Sequence, residues 1–420
     1  MEPVKIITGI RRCGKSSLMK LMVKHLKEHG VAENQIIEMN FESMDYCNMT
    51  VEEIYVYVKG RLPQSQRAYL FFDEIQRVKE WQDAVNAFRV DFDCDIYVTG
   101  SNAYLLSGEY ATYLAGRYVE IKMLPLSFSE FIDFHGYTVK MGKKPSGEWK
   151  KRIYDADGES YEPQELLEAY MRFGGMPGIA DVGLNTDMAL TLLDGVYSTV
   201  VVRDILEREK RQGQRQITDS ELLRKIIMLL ADNIGNSTSI TSIRNTLINA
   251  KLIDVSQRKG KPAVQTIQAY VGALLEAYVF YEVKRFDIKG KEYLRTLGKY
   301  YIVDIGLRNY LLGFRDMDMG HIIENIVYFE LLRRGYDVAI GKVDEKEVNF
   351  IATNTNTKQY IQVTESMNEP SVRERELAPL RKIRDNYEKI VVAAECVNPV
   401  TQDGIKIVKL VDFLLGETSK

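Results

Sequence analysis

Short apolar runs alternate with amphipathic stretches through the first third of this chain. VKIITG is β-branched, ends at Gly9 and reads as a buried strand. SSLMKLMVKHLKEHG follows, with Leu18, Leu21, Met22 and Leu26 at helical spacing and Gly30 as the stop. NQIIEMNFE reads as a second strand. TVEEIYVYVKGRL reads as a second helix, with Thr50 as its N-cap and Val51, Ile54, Tyr55 and Val58 on one face. AYLFFDEI is a third strand, EWQDAVNAFRV a third helix and CDIYVTGSN a fourth strand. The alternation predicts an α/β domain: a parallel sheet with helices on both faces and a ligand site at the carboxyl ends of its strands.

The pattern then changes. From Leu124 to Tyr197 it is mostly helical, with a polar interruption at GKKPSGEWKKRIYDADGESYEPQ that reads as an exposed loop or short hairpin. GGMPG at residues 174–178 is a Gly/Pro turn, read as a plain connection between helices. From Glu221 to Leu297 the order is helix, short helix, helix and hairpin, which predicts a winged-helix module. Its third helix, VQTIQAYVGALLEAY, carries few cations. Lys251, Lys259 and Lys261 precede it, and Lys289 and Lys291 flank Gly290 in the wing, so phosphate contacts are conceivable there. Packing against protein is the favoured use of the module. The last hundred residues run helix, strand, strand, strand.

At 420 residues the chain is too long for one ordinary core, and two or three domains are expected. The formal charge of -3 excludes attraction of nucleic acid by bulk charge, though not by a local patch. Cys13, Cys47, Cys94 and Cys396 are scattered, which argues against a disulfide framework or a zinc site and fits a reducing compartment. No apolar run is long enough to span a bilayer and MEPVKIITG is no signal peptide, so the expectation is a cytoplasmic protein with no membrane partner.

Gly9, Gly14, Lys15 and Ser16 match G-x-x-x-x-G-K-[ST], between a strand and a helix. In such a loop glycines let backbone N–H groups wrap phosphate oxygens, and the helix offers its positive end to the same anion. Lys15 would reach the outer phosphates and the Ser16 hydroxyl would ligate magnesium. The candidate nucleotide contacts run from Gly9 through Arg11, Arg12, Cys13, Gly14 and Lys15 to Ser16 and Ser17. Of Arg11 and Arg12, one is expected to contact phosphate and one to be a surface charge. YLFFDEI ends a buried strand in two carboxylates. Asp73 would hold magnesium and Glu74 would orient or deprotonate the attacking water. Ser101 and Asn102 arrive at the same sheet edge; either could bond the terminal phosphate or the water, or cap the next helix. Arg117 could face the phosphates of its own or a neighbouring chain, although a salt-bridged surface role is favoured.

Together GIRRCGKSSL, FFDEIQ, TGSNAYLLS and LAGRYVEIKMLPLSFSEF resemble a group of bacterial and archaeal AAA-type ATPases whose C-terminal region is a domain of unknown function. The likeness continues through YMRFGGMPGIA, YSTVVVRDILER, KYYIVDIGLRN, ENIVYFELLRRGYDV and YIQVTES. It implies ATP and magnesium as ligands, a phosphate-sensing position at Ser101 or Asn102, and an acidic-pair strand that is not the sheet neighbour of the loop strand. It also suggests a small lid near the nucleotide. Members usually carry a few dozen residues ahead of the loop strand, where this sequence has MEPVK, and that bears on adenine selectivity. The expected organisation is an ATPase core at 1–123, helical lid and connection at 124–215, winged-helix module at 216–305 and a last domain at 306–420. Expected partners are ATP, a protein client or DNA at the C-terminal domains, and a second copy of the chain.

HIIENIVYFELLRRGYDVAIGK, EKEVNFIAT and YIQVTES resemble the core of restriction-endonuclease-like nucleases. Those enzymes gather a helix Glu, a strand Asp, and an acidic residue two before a Lys around metal. Here Glu324 fits the first position, while Asn349, Gln362 and Thr364 fill the others. Neutral amides hold a divalent ion poorly, so the domain is expected not to cleave nucleic acid.

Overall fold

A computed structural model describes residues 2–63, 66–103, 116–143, 149–200, 205–206, 217–250, 262–396 and 401–416. The chain divides into two compact units, one of Met1–Leu124 with Glu276–Tyr278, the other of Pro125–Leu275 with Val279–Lys420. Among the described residues no helix is long and apolar enough to cross a membrane.

The first unit is built on five parallel strands: β1 (Val4–Thr8), β2 (Ile36–Asn40), β3 (Ala68–Asp73), β4 (Cys94–Gly100) and β5 (Tyr118–Lys122), in the order β2-β3-β4-β1-β5. β4 therefore separates the loop strand from the acidic-pair strand, as the family resemblance implies. One face carries α2 (Val51–Lys59) and α3 (Trp81–Asp91), whose Ile54, Val58, Trp81, Val85 and Phe88 pack on Ile6, Leu70, Phe72 and Val98. Thr50 caps α2 in a reciprocal box with Glu53. The opposite face carries α1 (Lys15–Glu28). Its buried apolar positions are Met19 and Val23; Leu18, Met22 and Leu26 are half-buried and Leu21 is 61% exposed. The inward stripe is thus turned about one position from the predicted one, because Lys15 must point into the loop.

The second unit opens with α4 (Phe128–Phe134). The polar interruption is a small antiparallel sheet of β6 (Thr138–Lys143), β7 (Trp149–Tyr154) and β8 (Ser160–Tyr161). Three helices follow, α5 (Pro163–Phe173), α6 (Gly178–Val182) and α7 (Thr186–Ser198). Next come α8 (Ser220–Asp232), β9 (Ser237–Thr238), α9 (Ile240–Asn249) and α10 (Val264–Glu276). β10 (Phe280–Asp287) and β11 (Glu292–Ile302) form the expected hairpin, and β9 pairs with β11. The hairpin does not stand apart. β10 also pairs in parallel with β12 (Asp337–Val343), so strands from both sides of residue 305 share one nine-stranded sheet. Between them lie α11 (Ile305–Leu312) and α12 (Met319–Arg333). The sheet continues through β13 (Lys346–Thr353), β14 (Lys358–Ser366) and β15 (Glu388–Glu395), with α13 (Pro370–Arg381) crossing from β14 to β15.

GGMPG is more than a turn. Gly175 N–H donates to Asp304 Oδ2 (2.7 Å) and Gly175 O accepts from Leu126 N (2.7 Å). A methyl on Gly174 would lie 2.4 Å from Asp304 Oδ1, and one on Gly306 would lie 2.0 Å from Phe173 O. Asp304 also caps α11 through Leu307 N (2.9 Å). The glycines are there because three chain segments meet around one buried carboxylate. Burial pushes that carboxyl up to about 6, against the opposing pull of the N–H groups of Gly175, Leu307 and Gly306.

Candidate functional site

The loop after β1 turns through positive φ at Gly9 (147°), Arg12 (64°) and Gly14 (102°) before α1 begins at Lys15. Gly9 has a second reason to be glycine: a methyl there would sit 2.1 Å from the Met123 carbonyl oxygen, where the chain leaves β5. Cys13 Sγ lies 3.7 Å from that same oxygen; burial pushes its thiol up, partly offset by Lys15. Lys15 is buried and donates to Gly9 O (2.9 Å) and Ile10 O (3.1 Å), which fixes two of its three N–H bonds across the loop. Ser16 and Ser17 are exposed at the first turn of α1.

The two arginines differ in their surroundings. Arg11 is ion-paired with Glu42, which also takes Arg77 Nη2 at 2.9 Å, while Arg12 is exposed. Arg11 is thereby committed to a bridge between the loop and the segment after β2.

The carboxyl ends of β3 and β4 carry the rest. Thr99 Oγ1 donates to Asp73 Oδ1 (2.5 Å) and accepts from Glu74 N (3.0 Å), so one buried hydroxyl fixes both members of the acidic pair. Glu74 is buried and holds a left-handed backbone (φ 56°, ψ 41°), which turns the chain sharply off β3. Its Oε2 accepts from Gln76 Nε2 and from Ser101 Oγ (3.4 Å). Asn102 is buried beside Ser101. The helix that either might cap lies outside the described residues. Sequence reasoning missed Thr99; the signal was a hydroxyl at the end of an apolar strand, which must find partners once buried. It also missed Thr8, which ends β1, donates to Glu120 Oε1 (2.8 Å) and is bonded to the Tyr278 hydroxyl of the same unit.

Arg117 is not brought to this edge. Its carbonyl accepts from Val4 N (2.9 Å), and β5 runs parallel to β1 with Tyr118 opposite Val4 and Lys122 opposite Thr8. Arg117 therefore sits at the amino end of the sheet, about 20 Å along the strand from the loop. The reading in which it faces its own chain's phosphates is corrected.

The donor set fits a nucleotide with magnesium. The loop offers a helix N-terminus and a buried ammonium, Ser16 an exposed hydroxyl, and Asp73 a carboxylate of which Thr99 engages one oxygen.

A second polar centre lies in the second unit. Glu324 of α12 accepts from Lys299 Nζ (2.9 Å) and Tyr301 OH (2.6 Å) of β11, and from Asn349 Nδ2 (2.7 Å) of β13. Asn349 Oδ1 takes the Val363 N–H (3.0 Å), and Gln362 Oε1 takes the Asn349 N–H (3.3 Å). Thr364 is buried nearby on β14 and bonds the Ser366 carbonyl. Hydrogen bonds thus link Glu324 to Asn349 and Asn349 to Gln362. Lys299 and Tyr301 were not foreseen, because they come from β11, outside the stretches that carry the nuclease resemblance; Glu347 lies within them, on β13 two residues before Asn349, and was passed over because it fills none of that resemblance's positions. At the turn of the β10–β11 hairpin, Lys289 is ion-paired with Asp344, which Lys382 also holds at 3.1 Å. Lys251, Lys259 and Lys261 lie outside the described residues.

An AAA-domain family model matches residues 1–132, and a model of a domain of unknown function matches residues 164–318. An uncharacterized protein of Haemophilus influenzae is 37% identical over 414 residues, 98% of this chain and 94% of that protein. An uncharacterized protein of Methanocaldococcus jannaschii is 32% identical over 90% of this chain and 78% of its own length. Against solved structures, the Aeropyrum pernix ORC1 protein in complex with DNA gives a TM-score of 0.32 at 11% identity, covering 74% of this chain and 86% of that one. A likeness that low says nothing about what this chain binds. The first unit is an AAA-type, nucleotide-binding ATPase domain, and the chain as a whole belongs to the family of AAA-domain proteins that includes the Haemophilus and Methanocaldococcus relatives.

Proposed function

We propose that the chain is a magnesium-dependent ATPase that couples its nucleotide state to rearrangement of its C-terminal regions. The observation that carries the reading is the Thr99 hydroxyl holding Asp73 and Glu74 together at the strand edge that also bears the phosphate loop. The loop N–H groups and Lys15 bind the phosphates. Magnesium, held by Ser16 and Asp73, supplies charge neutralisation at the phosphate oxygens. Glu74 orients the attacking water and accepts its proton; Ser101 and Asn102 sense the terminal phosphate. Glu74→Gln keeps the shape and removes the base. Its expected phenotype is ATP binding at wild-type affinity with phosphate release lost, and undiminished release removes Glu74 from the mechanism.

One observation favours a slower, gated version. The Glu74 carboxylate is buried and engaged by Gln76 and Ser101, so a proton acceptor there must first be released from those bonds. On this reading Gln76→Ala raises turnover; a fall in turnover argues against the gate. A DNA-associated role through the wing has weaker support, since Lys289 is already committed to Asp344. Lys289→Glu and Lys291→Glu together test it, and absence of any DNA binding at low salt removes it. The second-unit centre is proposed to be non-cleaving; metal-dependent nuclease activity abolished by Glu324→Ala would show otherwise.

A further inference from the structure

The side chain between the two carboxylates of the second-unit centre is an ammonium. Lys299 Nζ lies 2.9 Å from Glu324 Oε1 and 2.6 Å from Glu347 Oε1, with the lysine side chain 4% exposed and that of Glu324 10% exposed. We infer that Lys299 is a built-in cation, bridging Glu324, the one carboxylate left at the positions where the nuclease resemblance would place metal ligands, to Glu347 and closing the centre to metal. The inference deepens the non-cleaving reading and rests on it only for why a metal would be expected; the ammonium between two carboxylates stands by itself.

The remaining ligand atoms support it. Glu324 Oε1 takes the Tyr301 hydroxyl as well as Lys299, and Oε2 takes the Asn349 amide. Asn349 Oδ1 is occupied by the Val363 N–H. Both Glu324 oxygens and Asn349 Oδ1 are already hydrogen-bond acceptors, and Glu347 Oε1 is held by the ammonium. A divalent ion needs several oxygens at about 2.0–2.6 Å and would have to enter beside a fixed positive charge. Among the described residues no group of three or more His, Cys, Asp or Glu is placed to hold a metal. The lysine also has a structural reason to stay charged. Burial alone would push its ammonium down, yet Glu324 and Glu347 outweigh that and hold it above the ordinary range.

Lys299→Met tests the substitution directly. It keeps much of the side-chain volume and leaves Glu324, Glu347 and the Asn349 amide around an uncompensated negative site. Without nucleotide, the variant should melt roughly 10 °C below wild type, from the loss of one partner of a buried pair. Millimolar Mn2+ should restore several degrees in the variant and none in the wild type, and adding Glu347→Gln should remove the restoration. A folded Lys299→Met chain that ignores Mn2+ overturns the inference. If that variant does not fold, the wild type decides. Isotope-labelled lysine should give a slowly exchanging Lys299 ammonium signal that Mn2+ leaves sharp, and broadening of that signal overturns the inference. Neither readout depends on cleavage, so nuclease activity in the wild type would count separately against the non-cleaving reading.

Discussion

Replacing Thr99 by valine removes one oxygen and almost no volume. The hydroxyl is fully buried and makes two bonds, one donated to Asp73 Oδ1 at 2.5 Å and one accepted from Glu74 N at 3.0 Å. A hydrogen bond to a charged group contributes about 1.5–3 kcal/mol, and an N–H left buried without a partner costs about 1–3 kcal/mol. The local loss is therefore about 2.5–6 kcal/mol, borne by the segment that positions both carboxylates. Only the part that differs between ground and transition state reaches the rate. If that part is half, turnover falls roughly tenfold to a hundredfold, at about 1.4 kcal/mol per factor of ten. The assay pairs steady-state phosphate release with equilibrium ATP binding and thermal melting. Binding should weaken less than turnover, because Lys15 is held by the Gly9 and Ile10 carbonyls while the Thr99 hydroxyl holds the acidic pair. Thr99→Ser, which keeps the hydroxyl, should stay within a few-fold of wild type. A Thr99→Val chain with full turnover and unchanged melting refutes the reasoning that this hydroxyl organises the acidic pair.

Gly306→Ala places a methyl 2.0 Å from the Phe173 carbonyl oxygen and should abolish soluble expression or cut the melting temperature of the second unit sharply; near-normal melting would show that the meeting point can open. Asp304 is raised to about 6 from an ordinary 3.8, so the folded state binds its proton more tightly and stability falls as pH rises through that window, by about 2–3 kcal/mol in all. Asp304→Asn should be less stable at low pH and should lose this slope, read from denaturant melts at several pH values. Arg117→Ala should leave turnover unchanged in dilute protein, since the residue lies at the far end of β1 from the loop; a loss confined to concentrated samples would bring Arg117 to a neighbouring chain's phosphates.

The first unit was readable because its signals are local. A strand, a glycine loop, a helix and the third strand, running into Asp73 and Glu74, each announce themselves within a dozen residues. What stayed hidden depends on partners distant in sequence. Thr99 matters only because β4 lies beside β3, and Arg117 loses its place near the nucleotide only because β5 runs parallel to β1. β5 itself has a half-exposed edge pattern with no clean apolar run. The glycines of GGMPG looked like a connection until Leu126, Asp304 and Gly306 were seen to close on them. In the second unit Glu324, Asn349 and Gln362 were singled out through the resemblance to nucleases, not from spacing. Lys299 was not, because it arrives from β11, whose link to that sheet runs through the β10–β12 pairing.

The central claim concerns chemistry at the loop, and steady-state phosphate release from ATP tests it most directly. The wild-type chain should release phosphate in the presence of magnesium, lose that release when the metal is chelated, and lose it again in Lys15→Ala. Release no greater than that of Lys15→Ala, or release indifferent to magnesium, would contradict the account.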